Sequence, residues 1–186
     1  IAARLRLPPQ IVARGYCRAS IGTVSHLPVL RLAPVKENRN NCPFLAGDRC
    51  AIHDAEPLVC ALYPLAQEIS RKGQVSYFLQ PTGCGGQVIE ARVEDYLARY
   101  DVPAREQTDV RWAQTCMTLE DTVEQLEALL SPVLVRRMQD KLWQALYFSY
   151  DYAAPFLPQL EKKLHWLDAE FAKLTEYQQK RNNTSK

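Results

Sequence analysis

The sequence predicts a mainly α fold with a small, loop-rich β region, in which a cysteine-cluster segment packs on a C-terminal helical bundle. Three observations predict it. From Val88 onward, apolar residues recur at helical spacings of three and four. Before that point, short apolar runs are cut by Pro and Gly. Between the two patterns, Cys42, Cys50, Cys60 and Cys84 each lie beside a turn-former or within a few residues of one.

Taken in order, Leu5, Leu7, Ile11 and Val12 suggest two short helices split by Pro8-Pro9, the second over residues 9–17. Proline is tolerated at a helix start, where the missing N–H has no intrahelical partner. Cys17 closes the second helix, outside the dense cluster, and reads as a half-buried thiol. Residues 21–41 are extended or looped, with a short strand around Val29–Val35 and an isolated His26 that reads as a surface or hydrogen-bonded histidine. Phe44 to His53, with a Gly47-Asp48 turn, reads as a small hairpin. A short helical turn follows, with Pro57 at its start and Pro64 stopping it. Gln74–Leu79 is a strand with Leu65–Ile69 as its partner, and Pro81-Thr82-Gly83 turns the chain to Cys84.

The helical half then begins. Val93, Tyr96, Leu97 and Tyr100 share a face, and a second helix is expected over Ala104–Thr115. Thr118-Leu119-Glu120-Asp121 resembles a capping start for a third, carrying Leu119, Val123, Leu126 and Leu130. Ser131-Pro132 opens another, with Leu134, Met138, Leu142 and Leu146 every four residues. After a break at Asp151–Pro155, Leu157, Leu160, Leu164, Leu167, Phe171 and Leu174 form a heptad-like seam, which packs most simply against the preceding helix. The polar end is expected to be a disordered tail. The expected domains are 1–100 for the cysteine cluster, 101–180 for the helical extension and 181–186 for the tail.

Composition bounds the function. A chain of 186 residues can bury a core without disulfides. A net charge of +2 is too small to argue for nucleic acid or a membrane surface, and no apolar run approaches a membrane span. The start at Ile1 lacks the pattern of a signal peptide and reads as internal, with residues expected upstream. Six cysteines are too few for a disulfide scaffold, so reduced, metal-binding thiols in a cytoplasmic protein are the expectation.

The spacings are Cys42-x7-Cys50, Cys50-x9-Cys60 and Cys60-x23-Cys84. None is the short pair of a zinc ribbon or the run of a ferredoxin. Pro43 stiffens the chain beside Cys42, and Gly83, Gly85 and Gly86 let backbone N–H groups approach Cys84. Chemistry alone leaves three readings open: four metal ligands, four packed thiols or two disulfides. His53, three residues after Cys50, could take the place of a thiolate as a ligand but reads better as a hydrogen-bonding or packing residue. No Ser-His-Asp arrangement, P-loop or dinucleotide fingerprint is present.

The run Cys-Pro-Phe-Leu-x4-Cys-x-Ile-His-x3-Pro-x2-Cys-Ala-Leu-Tyr-Pro-Leu from Cys42 to Leu65, with Tyr77-Phe78-Leu79 and Cys84-Gly85, resembles the YkgJ-like cysteine-cluster family of zinc- or iron-chelating proteins. The resemblance covers roughly residues 1–100. It implies that Cys42, Cys50, Cys60 and Cys84 match four of eight characteristic cysteines. The other four, an N-terminal group, are absent from this sequence and are expected upstream. Ala66-Gln67 stands where many relatives carry Gly-Arg, and His53 where many carry Tyr. Relatives among flagellin lysine N-methylases imply an iron–sulfur cluster and S-adenosylmethionine.

Two functions follow as expectations. One is a protein holding iron, as an iron–sulfur cluster or a single ion, with methyltransferase-like activity on an unknown protein substrate. The other is a zinc-stabilised interaction module without catalysis, whose aromatic face around Trp143, Tyr147 and Tyr150 meets a protein partner. A thiol redox sensor is a third.

Overall fold

The computed structural model describes residues 1–36, 41–81, 92–99 and 101–184. The fold is mainly α with small β hairpins: among the described residues there are seven α-helices and three two-stranded antiparallel sheets. The chain divides into two compact units. One comprises Phe44–Thr115 with Ile1, and the other Ala2–Pro43 with Cys116–Lys186. This division differs from the cut near residue 100 expected from the sequence, because one long helix carries residues of both units.

In the Phe44–Thr115 unit, β3 (Leu45–Ala46) and β4 (Arg49–Cys50) form a minimal hairpin with Leu45 opposite Cys50. Gly47 takes φ +65 in its turn, a conformation that disfavours residues with a Cβ. A single 3-10 turn, His53–Ala55, leads to α3 (Leu58–Leu62), entered through Pro57 and left through a cis Tyr63–Pro64 bond. β5 (Leu65–Ile69) pairs with β6 (Val75–Leu79) from Leu65 opposite Leu79 to Ile69 opposite Val75. Helix α4 (Val93–Arg99) and the first half of α5 (Val102–Leu129) complete it. Leu62, Leu97 and Val102 form a small core, with Leu58, Leu65 and Tyr77 packed on its rim. Phe44 and Ile52 are also buried and anchor the two ends of the β3–β4 segment.

In the other unit, α1 (Ala2–Leu5) and α2 (Pro9–Tyr16) lead directly into a hairpin of β1 (Cys17–Ile21) and β2 (Pro28–Leu32). β1 is absent from the sequence-based expectation. Its residues, Cys-Arg-Ala-Ser-Ile, are mostly exposed and lack the alternation that marks a half-buried strand. His26 sits in the hairpin turn at φ +56. Its Nδ1 meets Glu127 of α5, and its carbonyl accepts from Gln139 Nε2 of α6 (Pro132–Tyr147) at 2.9 Å.

The helices α5, α6 and α7 (Phe156–Thr184) bury the stripes that the sequence spacing marks. Leu119, Val123, Leu126 and Leu130 come from α5 and its end, Leu134, Met138, Leu142 and Leu146 from α6, and Leu160, Leu167, Phe171 and Leu174 from α7. The α7 seam packs on α6, as the simpler reading expects. Lys141 of α6 meets Glu170 of α7 at 2.8 Å, and Lys173 meets the same carboxylate at 2.7 Å. Gln159 organises the α6–α7 connection, accepting from Asp151 N at 2.8 Å and donating to Asp151 O at 3.0 Å.

Two expectations are corrected. Ala104–Thr115 and the segment opening at Thr118 are one helix, α5. No Gly or Pro interrupts residues 104–129, so the capping-type residues at Thr118 continue the helix. Thr118 O there accepts a back-bond from Thr122 Oγ1 at 3.0 Å. The polar residues after Gln178 extend α7 to Thr184. Gln179, Lys180 and Arg181 are good helix formers, and Lys180 pairs with Glu176 one turn earlier at 2.6 Å.

Candidate metal centre

The candidate ligands fall in different parts of the fold. Cys50 ends β4 and is half-buried. Cys60 lies in the middle of α3 and is exposed. Both belong to the Phe44–Thr115 unit. Cys42 is exposed and belongs to the other unit, beside the bridge between Val35 and Asn41. Cys84, with Gly83, Gly85 and Gly86, lies outside the described residues. Among the described residues, no three His, Cys, Asp or Glu side chains are grouped to hold a metal ion.

Local sequence explains how Cys50 and Cys60 are presented. Gly47 permits the tight turn that pairs Leu45 with Cys50, and Ala51 N donates to Phe44 O at 2.8 Å to close the hairpin base. Pro57 starts α3, and its carbonyl accepts from Cys60 N at 2.9 Å and Ala61 N at 3.1 Å. Leu62 and Ala61 point into the core, which leaves Val59, Cys60 and Tyr63 outward. The short helix is fixed by its buried face, and the thiol is carried on the opposite one.

The cysteines outside the motif contrast with these. Cys116, inside α5, is half-buried; burial, with a smaller contribution from Glu120, pushes its thiol up to about 11. Burial also raises the Cys17 thiol. Cys17, Cys42, Cys50, Cys60 and Cys116 are not joined in disulfides. Thiolates are soft donors suited to zinc, iron and iron–sulfur clusters, so the donor set of this segment fits either metal by its chemistry.

His53 Nδ1 lies 3.2 Å from Glu56 Oε1, three residues further on. The aromatic face proposed for a partner is engaged within its own unit. Trp143 packs on Tyr147 with ring centroids 5.3 Å apart, and Tyr147 donates to Pro28 O at 3.0 Å. Tyr150 stacks near Phe156, donates to Ala145 O at 2.7 Å and carries Lys163 over its ring at 4.7 Å. Burial pushes its phenol up to about 12.

Two features escape the sequence reading. One is an open cavity of about 690 Å³ along α6 and α7, lined by Arg137, Asp140, Lys141, Trp143, Gln144, Glu170 and Leu174. Hydrogen bonds from Lys141 and Lys173 hold the Glu170 carboxyl at about 2, so its charge is committed to these lysines. The other is a polar cluster of Gln67, Tyr77, Glu106 and Asp109. Its members are 42 positions apart at the extremes, and no local pattern announces them. No family model, curated protein or solved structure matches this chain. No helix among the described residues is long and apolar enough to cross a membrane.

Proposed function

We propose that the chain is a cytoplasmic metal-binding protein of the YkgJ-like kind, using the thiolates of Cys42, Cys50, Cys60 and Cys84 to hold iron, most simply as an iron–sulfur cluster. One observation carries the reading. Cysteine is among the most buried residue types, yet the motif keeps the Cys60 and Cys42 thiols at the surface, while Cys17 and Cys116, outside the motif, are half-buried. A thiol carried outward on the exposed face of α3, as Cys60 is, is open to a ligand and is not required by packing. The resemblance of residues 42–85 to the zinc- and iron-chelating cysteine-cluster proteins supports the same reading. A methyltransferase-like activity using S-adenosylmethionine belongs to that resemblance and to no residue outside the cysteines.

A second reading, a zinc-stabilised interaction module, is favoured by the small core that the described residues of the Phe44–Thr115 unit form. Strands of two residues and a helix of five have little apolar surface to bury, and a structural metal commonly supplies the missing stability. Metal analysis of anaerobically purified protein separates the readings. Brown protein with broad absorption near ~400 nm supports iron–sulfur ligation, whereas colourless protein with about one equivalent of zinc supports the module. Cys50→Ser and Cys60→Ser are expected to lower metal content in both cases, and unchanged content in both variants refutes ligation.

A further inference from the structure

Helix α5 places Glu106 and Asp109 one turn apart, and both meet side chains of the β5–β6 hairpin. The Tyr77 hydroxyl of β6 donates to Glu106 Oε2 at 3.4 Å and accepts from Gln67 Nε2 of β5 at 3.0 Å. A Gln67 hydrogen bond also reaches Asp109. Four side chains from three elements therefore form one polar cluster. Within it, Oδ2 of Asp109 is buried and accepts no hydrogen bond. An ionised oxygen so placed has lost water without gaining a donor, which is unfavourable.

The charged groups acting on Asp109 are Arg105 and Glu106, both on α5; the hairpin faces it with uncharged Gln67 and the Tyr77 phenol. Tyr77 has one proton, and that proton is directed to Glu106. Burial is the largest influence on Asp109 and raises its pKa; Arg105 opposes this, Glu106 reinforces it and the Gln67 bond opposes it.

We propose that Gln67, Tyr77, Glu106 and Asp109 form a protonation-controlled latch between the β5–β6 hairpin and helix α5, loosened when Asp109 is ionised and closed when it carries a proton. Protonation removes the desolvated charge and its repulsion with Glu106, and it gives the cluster a further O–H donor where acceptors are in excess. The hairpin begins three residues after α3, and Gln80 N donates to Pro64 O at 2.9 Å. The latch therefore acts on the segment that carries Cys60. Because the folded Asp109 pKa is raised, its favourable contribution is complete below the unfolded aspartate value of about 3.9 and is lost as pH rises through the folded value.

The test compares the full chain with its Asp109→Asn and Glu106→Gln variants by thermal melting from about pH 4 to about pH 8. Asparagine is a neutral isostere of the protonated acid. Asp109→Asn is expected to melt about 2–4 °C above the native chain at neutral pH, with the difference shrinking toward zero in acid. Amide exchange across residues 65–79 is expected to slow in this variant at neutral pH. Glu106→Gln, which removes the like charge, is expected to narrow the gap between native and Asp109→Asn chains when combined with each. The proposal is overturned if Asp109→Asn fails to fold, melts at or below the native chain at neutral pH, or keeps a constant offset at every pH. An unchanged gap in the Glu106→Gln background overturns the coupling.

Discussion

Replacing Leu62 by Ala tests how the cysteine segment is held. Leu62 is 2 % exposed and sits two residues after Cys60 in a helix of only five residues. It meets Leu97 and Val102, which lie 8 % and 0 % exposed, in the small core of its unit. Removing three carbons forfeits about 2.4 kcal/mol of transfer free energy at ~0.8 kcal/mol per methylene. The unrelaxed cavity adds to this, but the rim residues Leu58, Leu65 and Tyr77 are only partly buried and can settle inward. The expected cost is therefore about 3 kcal/mol, in the lower half of the range for buried leucines. Val59 is the control: it lies on the same helix at 66 % exposure, and Val59→Ala is expected to cost no more than ~0.5 kcal/mol. Urea denaturation followed by circular dichroism gives both values from the midpoint and slope. Equal costs for the two variants would refute the assignment of α3's buried face. Metal titration of the same proteins gives a second check. Leu62→Ala should weaken uptake because Cys60 loses its support, while Val59→Ala should leave uptake unchanged.

Two further outcomes follow from other parts of the chain. Gly73 has φ +78, and a Cβ there would lie 3.2 Å from both Val110 Cγ1 and Gln114 Nε2, whereas a Cβ on Gly15 in α2 meets nothing within 4 Å. Gly73→Ala should destabilise by about 1–2 kcal/mol and Gly15→Ala stabilise by about 0.5–1 kcal/mol in thermal melts, and shifts of the same sign would contradict the backbone assignment. In chelator-treated protein, a thiol-alkylating reagent followed by peptide mass spectrometry should label Cys42 and Cys60 early. Cys116, half-buried and pushed up to about 11, should label last, and equal labelling rates would contradict the contrast in exposure.

Much of the fold is legible because it is encoded locally. Pro57 and Pro64 bracket α3, Gly47 and Gly73 mark the hairpin turns, and Leu134, Met138, Leu142 and Leu146 repeat every four residues on α6. What stays hidden is set by context. Thr118 and Asp121 resemble a helix start, yet they lie within an uninterrupted helical sequence whose Leu119, Val123 and Leu126 are buried. β1 is defined by its register with β2, from Cys17 opposite Leu32 to Ile21 opposite Pro28, and its own composition is nearly silent. The tail after Gln178 looks polar and unstructured, but an i,i+4 ion pair such as Lys180 with Glu176 supports a helix without an apolar seam.

The candidate site divides in the same way. The residue types and turn chemistry that turn Cys60 outward are legible, since Leu62 must face the core and Cys60 lies two positions away on a helix. The pairing of His53 with Glu56 follows from their i,i+3 spacing. The Gln67–Tyr77–Glu106–Asp109 cluster is a tertiary product, as is the contact of His26 with Glu127 and Gln139. Single polar residues at such distances carry no periodic signal, so only the folded chain brings them together.

Metal binding by the thiols of Cys42, Cys50, Cys60 and Cys84 is tested most directly by metal analysis of the anaerobically purified chain beside its Cys60→Ser variant. Iron or zinc at about one site per chain is expected in the native protein and a marked loss in Cys60→Ser, with circular dichroism of the α5–α7 helices retained. Native protein that takes up neither metal, or a Cys60→Ser variant that keeps its full complement, would contradict it.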